Sequence, residues 1–129
     1  MNKELFKKDM SECEKLIMKI IWDAQEDIAT PDIIQKLHFR YGRDYARTTV
    51  VTFIQRLVSK GFVTTYRKGR VTYSHAEIEE ERYLEYLLIN TMNFWFDGQM
   101  ESLFASLLKC NKPSQDEIEK IRVILEIIQ

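Results

Sequence analysis

Glycine and proline are scarce in this chain, 4 and 2 among 129 residues, which leaves little material for long loops and favours helices. The two cysteines, Cys13 and Cys110, are too few for a disulfide framework. No apolar run approaches the roughly 20 residues that cross a bilayer, so no membrane insertion is expected. The opening residues, Met1-Asn-Lys-Glu-Leu-Phe-Lys-Lys, lack the apolar core and small-residue cleavage site of a secretory signal. A cytoplasmic protein is the expectation. Enzymatic signatures are missing as well: there is no phosphate-cradling glycine loop, no His-Glu-x-x-His and no Cys-x-x-Cys. His38 lies beside an apolar stripe and His75 at a strand end, and both read as packing or surface residues. Neither catalysis, nor a cofactor, nor a metal is expected.

What is present is a globular composition, 45% hydrophobic and 30% charged. The net charge of −1 conceals a division along the chain. Residues 1–75 carry 14 Lys and Arg against 9 Asp and Glu, whereas residues 76–129 carry 5 against 11. Between Lys36 and Arg70 nine basic residues face only Asp44. Such a concentration repels itself unless a polyanion relieves it, which points to nucleic acid.

The periodicity predicts the elements. Ser11-Glu-Cys-Glu14 is a capping box, followed by Cys13, Leu16, Ile17, Ile20 and Ile21 at helical spacing, for a helix of about 11–24. Asp27-Ile-Ala29 reads as a short strand or turn. Thr30 is placed to cap a second helix of 31–40 with Pro31 at its first position. That helix buries Ile33 or Ile34 together with Leu37, and Tyr41–Asp44 forms a turn. From Arg47 to Lys60, Val50, Phe53, Ile54, Leu57 and Val58 mark one buried face, and Gly61 suits a left-handed cap. The other face presents Arg47, Thr48, Val51, Thr52, Gln55 and Ser59, flanked by Thr49 and Arg56. It holds no acid and mostly short hydrogen-bonding side chains, a chemistry suited to base edges between phosphates. Phe62–Tyr66 and Val71–His75 read as strands joined by the basic turn Arg67-Lys68-Gly69-Arg70. Three helices followed by a basic-tipped hairpin is the order of a winged helix-turn-helix, with Arg67, Lys68 and Arg70 placed to touch phosphate or minor groove.

The remainder is acidic and amphipathic. Ile78, Leu84, Leu87, Leu88 and Met92 line a helix of 77–96, broken at Asp97-Gly98. Met100, Leu103, Phe104, Leu107 and Leu108 line another, and Ser114–Glu117 caps a last helix carrying Ile118, Ile121, Leu125 and Ile128. Trp22, Phe94, Trp95 and Phe96 read as core or dimer contacts. Three short helices of this kind bury their stripes best by self-association, so a homodimer is expected with Leu84, Leu87, Leu88, Leu107, Ile121 and Leu125 in its interface. The fold class is thus mainly α with a small β-hairpin: a DNA-binding head of 1–76 and a three-helix dimerisation tail of 77–129.

Ser11–Trp22, Thr48–Gly61, the wing and Ser114–Ile121 together resemble the penicillinase-repressor family of winged-helix regulators. The resemblance implies a homodimeric transcriptional repressor whose third helix enters the major groove of a palindromic double-stranded operator. It implies control of β-lactam resistance or a related stress response, often with a membrane sensor-protease as partner. It matches Thr49, Thr52 and Arg56 to positions associated with DNA contact, while Val51 stands where some relatives carry a longer polar residue. It also implies an Asn-Phe bond cut on induction, for which Ser106-Leu107 stands here. Copper-responsive members carry a cysteine-rich terminal motif that has no counterpart beyond Cys110. Two alternatives stay open on the residues alone: a winged-helix protein-interaction module, and a repressor governed by a small ligand bound between head and tail.

Overall fold

A computed structural model describes residues 9–128. Its elements are α1 (Glu12–Ala24), β1 (Ile28–Ala29), α2 (Thr30–Tyr41), α3 (Arg47–Ser59), β2 (Val63–Lys68), β3 (Val71–Ala76), α4 (Glu80–Trp95), α5 (Met100–Cys110) and α6 (Gln115–Ile127). The chain divides into two compact units, Met1–Tyr86 and Leu87–Gln129.

The first unit is a winged helix-turn-helix. Its capping box closes as expected: Glu14 N–H donates to Ser11 Oγ at 3.2 Å and Ser11 N–H donates to Glu14 Oε1 at 3.0 Å. The Glu14 carboxylate is buried all the same, because α1 packs against both α2 and α3. Lys60, at the far end of α3, meets it at 2.6 Å and also donates to the Asp9 carbonyl at 2.8 Å. Packing on two sides widens the buried arc of α1, so Met18 is fully buried while Cys13 and Leu16 are half-buried at the edges.

Local expectations are corrected at several points. Thr30 does not cap α2; Ala29 occupies the cap position, with no side-chain bond. Because β1 runs straight into α2, Thr30 is buried against the sheet and its hydroxyl donates to the Thr72 carbonyl at 3.2 Å. Val58 is 39% exposed rather than buried. It lies about 100° around the helix from Leu57, outside the narrow stripe of Val50, Ile54 and Leu57.

Helix α3 ends in a Schellman motif. Gly61, at φ +84°, donates to the Val58 carbonyl, and Phe62 N–H donates to the Leu57 carbonyl, each at 3.0 Å. The reversal drives Phe62 into the core and launches β2. The antiparallel sheet has the order β1-β3-β2. The hairpin ladder runs from Val63↔Ala76 to Lys68↔Val71, so Arg67 and Lys68 are strand residues and Gly69-Arg70 alone makes the turn. Gly69 has φ +67°, and positive φ at the first central position is what a two-residue hairpin turn requires.

The core joins Ile17, Ile20, Ile33, Leu37, Val50, Leu57 and Phe62 to residues that follow the sheet. Ile78 and Tyr83 are buried with them; Trp22 Nε1 donates to the Ile78 carbonyl at 2.8 Å, and the Tyr83 ring packs edge-on to Phe62 at 5.5 Å. Lys19 pairs with Glu80 beside this contact. The predicted helix of 77–96 accordingly starts at Glu80, leaving Ile78 ahead of it in extended chain.

The second unit contains the rest of α4 with α5 and α6. Ser114 and Glu117 form the second expected capping box, at 3.0 and 3.1 Å. None of its described residues is fully buried: Ile118 and Ile121 are half-buried, while Val123, Ile124, Leu125 and Ile127 are exposed. Among the described residues no helix is long and apolar enough to cross a membrane.

Candidate nucleic-acid interface

A groove of about 450 Å³ runs between α3 and the hairpin. Arg47, Val51 and Gln55 line it from the helix, with Ile54 at its base; Thr65, Tyr66, Arg67 and Thr72 line it from the sheet, and Thr30 from the start of α2. Four of the residues read from sequence as DNA-facing, Arg47, Val51, Gln55 and Arg67, thus meet across one concavity. Thr30, Thr65, Tyr66 and Thr72 were not foreseen. Thr72 enters through the observed register, which pairs it directly with Arg67; a turn of 67–70 gives no such pairing. Thr30 gave no signal, because its place depends on how α2 docks against the sheet.

The other predicted residues lie around this groove. Thr48 and Thr52 are exposed on α3, and the Thr52 hydroxyl donates to the Thr48 carbonyl at 2.9 Å. Thr49 is half-buried. Arg56 lies over the Phe53 ring, 5.8 Å from its centroid, on the flank of the helix. Lys68 and Arg70 are exposed at the hairpin tip.

The structure sorts the basic residues of the 36–70 segment into two groups. Lys60 is tied to Glu14, Arg43 to Glu12 at 3.3 Å, and Arg40 to Asp23 at 2.8 Å. These link α1 to α2, to the turn that follows α2 and to the end of α3. Arg40 keeps the Asp23 carboxyl below its ordinary range. For Glu14, burial pushes the carboxyl up, but the Lys60 and Ser11 hydrogen bonds and the Lys60 charge outweigh it, and the net direction is down. Lys36, Arg47, Arg56, Arg67, Lys68 and Arg70 have no carboxylate partner among the described residues. Five of these six belong to α3 or the hairpin. The unneutralised charge is therefore concentrated where the groove opens.

Hydrogen bonding at the hairpin's root fixes it to the body. Tyr66 donates its hydroxyl to Asp27 Oδ2 at 2.7 Å, and His75 Nδ1 lies 2.7 Å from Asp27 Oδ1. The ordinary readings of the remaining reactive residues hold no second site. His38 pairs with Asp44, Cys13 Sγ lies 2.8 Å from the Tyr45 hydroxyl, and Cys110 Sγ donates to the Leu107 carbonyl at 3.4 Å. Among the described residues no cluster of His, Cys, Asp and Glu is arranged to hold a metal.

Of the residues expected at a dimer interface, Leu84, Leu87, Leu88, Leu107 and Leu125 are exposed on the chain, and Ile121 is half-buried. Phe94, Trp95, Ile124 and Ile127 extend the exposed apolar surface beyond that set. Ser106 and Leu107 stand in α5, both exposed.

The model of the family described as "Penicillinase repressor" matches residues 10–127. The penicillinase repressor of Bacillus licheniformis is 28% identical over 117 residues, 91% of this chain and 89% of that protein. The methicillin resistance regulatory protein MecI of Mammaliicoccus sciuri is 29% identical over 117 residues, 91% and 93% of the two chains. A solution structure of the DNA binding domain of the repressor BlaI aligns with a TM-score of 0.48 at 29% identity, covering 59% of this chain and 93% of that one. With the family's pattern running through head and tail alike, this chain belongs to the penicillinase repressor family.

Proposed function

We propose that the protein is a transcriptional repressor that binds a palindromic DNA operator as a homodimer, α3 reading base edges in the major groove while the hairpin grips phosphate. One observation carries this reading: the cations left without a carboxylate partner gather on α3 and the hairpin, on either side of the groove lined by Arg47, Gln55 and Arg67. Arg47 and Gln55 have the fork geometries that pair bidentately with guanine and adenine, and the Val51 and Thr52 methyls suit thymine. A protein-interaction module does not need a basic hairpin tip or an acid-free helix face. Two relatives, named as a penicillinase repressor and a methicillin resistance regulatory protein, support control of β-lactam resistance or an allied response.

Self-association follows from the second unit, whose apolar residues are left in water on a single chain. Joining two heads makes the second binding event intramolecular, so loss of the joint is a route to derepression. A sensor-protease cutting at Ser106-Leu107, which stands where the resemblance places an Asn-Phe bond, is one form of release; a ligand or partner that loosens the tail is the other. Mass spectrometry of the repressor from derepressed cells decides between them: a fragment ending near Ser106 supports proteolysis, and an intact chain removes it.

The DNA-binding reading is tested by fluorescence anisotropy with random-sequence duplex over a range of salt. Affinity should fall steeply as salt rises, with a slope of about 0.9 per phosphate neutralised. Replacing Arg67, Lys68 and Arg70 together with alanine should weaken binding and flatten the slope. A salt-independent affinity would sink the reading.

A further inference from the structure

Asp27 lies outside the groove, in the turn between α1 and β1, yet it holds both strands of the hairpin at once. Its Oδ2 accepts from Tyr66 on β2, and its Oδ1 faces Nδ1 of His75 on β3, each at 2.7 Å. Tyr66 is paired with Tyr73 and His75 with Thr64, so the grip spans three rungs of the ladder. Support from the body thins past this level, where Val71 and Thr72 are half-buried. Strand β1 pairs only with Tyr73 and Ser74, and from Thr64 to Arg70 every residue is exposed. Past the Tyr66↔Tyr73 rung, the Thr30–Thr72 bond is the one further hydrogen bond to the body among the described residues. A two-stranded ribbon beyond its support is marginal in water and free to twist. The direction in which Arg67, Lys68 and Arg70 point is therefore set at the root.

We propose that Asp27 is a positioning residue for DNA binding: it fixes the pose of the hairpin, and through it the phosphate contacts of Arg67, Lys68 and Arg70, without touching DNA itself. This rests on the reading of the hairpin given above and assigns a role to a carboxylate that the reading leaves idle. The electrostatics agree with the geometry. Hydrogen bonds from Tyr66 and then His75 hold the Asp27 carboxyl below its usual range. The Asp27 bond likewise holds His75 above its usual range, with a smaller contribution from the charge of Glu77. An anion on a DNA-binding head opposes association with phosphate, so the charge of Asp27 and its hydrogen bonds act on binding in opposite directions.

That opposition gives the test its sign. If Asp27 acted only through its charge, removing it would relieve repulsion and tighten DNA binding. If it positions the hairpin, removing it loosens binding. The full chain and its Asp27→Ala, Asp27→Asn, Arg67→Ala/Lys68→Ala/Arg70→Ala and combined variants are titrated with random-sequence duplex across salt, since phosphate contacts carry no sequence information. Asp27→Ala should bind about threefold to tenfold more weakly, the span of ordinary net hydrogen-bond contributions. Its salt slope should flatten by about 1–2, at about 0.9 per phosphate. Asp27→Asn, which keeps the shape and one acceptor oxygen, should fall between, and both should melt cooperatively near the parent temperature. On the triple variant, Asp27→Ala should have no further effect. Binding as tight as the parent's with the parental slope, or an equal loss on the triple background, overturns the proposal. A triple variant that binds like the parent removes the DNA role of the hairpin itself, and the positioning role with it.

Discussion

Arg47 and Gln55 keep their side-chain hydrogen-bonding capacity unspent among the described residues, whereas Thr52 has given its hydroxyl proton to the Thr48 carbonyl. Base reading should follow that difference. Arg47→Ala and Gln55→Ala should each cost about 1–3 kcal/mol at the preferred operator and relax preference at one base pair. Thr52→Val, which keeps a methyl and loses only a committed hydroxyl, should select the same sites as the parent. Selection from a randomised duplex pool checks all three, and an altered consensus for Thr52→Val would show that the hydroxyl reads DNA after all. Glu14 stands at the opposite extreme, a carboxylate 1% exposed whose role is internal. Its folded pKa is depressed, so the stability it contributes is fully present above its unfolded value and is lost as pH falls through the folded one. Removing one partner of a buried pair costs about 3–5 kcal/mol, and Glu14→Ala should fall near the low end because Lys60 keeps 19% of its side chain in water. Chemical denaturation at neutral and acidic pH should show the parent and variant converging as the medium becomes acidic. A constant gap between them would place the cost elsewhere.

Among the elements, α4 belongs to two structures. Its first turns, with Ile78 just ahead of them, complete the core of the head: Trp22 bonds the Ile78 carbonyl, Tyr83 packs on Phe62 and Trp22, and Glu80 pairs with Lys19. A head cut after residue 76 forfeits all of these. Truncating one buried Ile or larger side chain costs about 2–5 kcal/mol, and small domains have only about 5–15 kcal/mol in total. Fragment 1–76 should therefore melt broadly and at much lower temperature than fragment 1–86, which should unfold cooperatively by circular dichroism. Equal melting of the two would mean that Ile78 and Tyr83 decorate the core without supporting it. The end of α3 is fixed by different means, the Schellman reversal at Gly61 and the Lys60–Glu14 pair, so the helix that faces the groove is held at the end away from Arg47.

For the whole molecule the charge divides near residue 76, ahead of the boundary between the compact units at Tyr86, because the acidic first turns of α4 belong to the head. The head carries a sealed core; the second unit has Leu107, Leu125, Ile124 and Ile127 open to water on a single chain. Placing a charge in that surface, as in Leu107→Asp combined with Ile124→Asp, should give a monomer by sedimentation while leaving the head folded. Operator affinity should then drop by about 10²-fold or more, because linked sites gain about 10²–10⁴ from effective concentration. Affinity for random duplex, normalised per head, should change little. A monomer that binds operator as tightly as the parent would contradict a dimeric mode of recognition.

Sequence alone determined the features whose physics is local. The capping boxes at Ser11 and Ser114, the left-handed reversal at Gly61, the period of α3 and the strand alternation around Gly69 all rest on groups within a few residues of one another. Element order followed from them, and with it the winged helix and the face carrying Arg47, Val51 and Gln55. Only the tertiary structure decided which charges remain available. Lys60 and Glu14 are 46 residues apart, Arg43 and Glu12 are 31 apart, and Arg40 and Asp23 are 17 apart, so no spacing rule could withdraw those cations from the basic count. The same holds for Thr30, drawn from its cap position by a carbonyl 42 residues away, and for Asp27, whose partners lie 39 and 48 residues further on. Hydrogen bonds and ion pairs act over a few ångströms, and across such separations it is the docking of helices and sheet that brings the partners within reach.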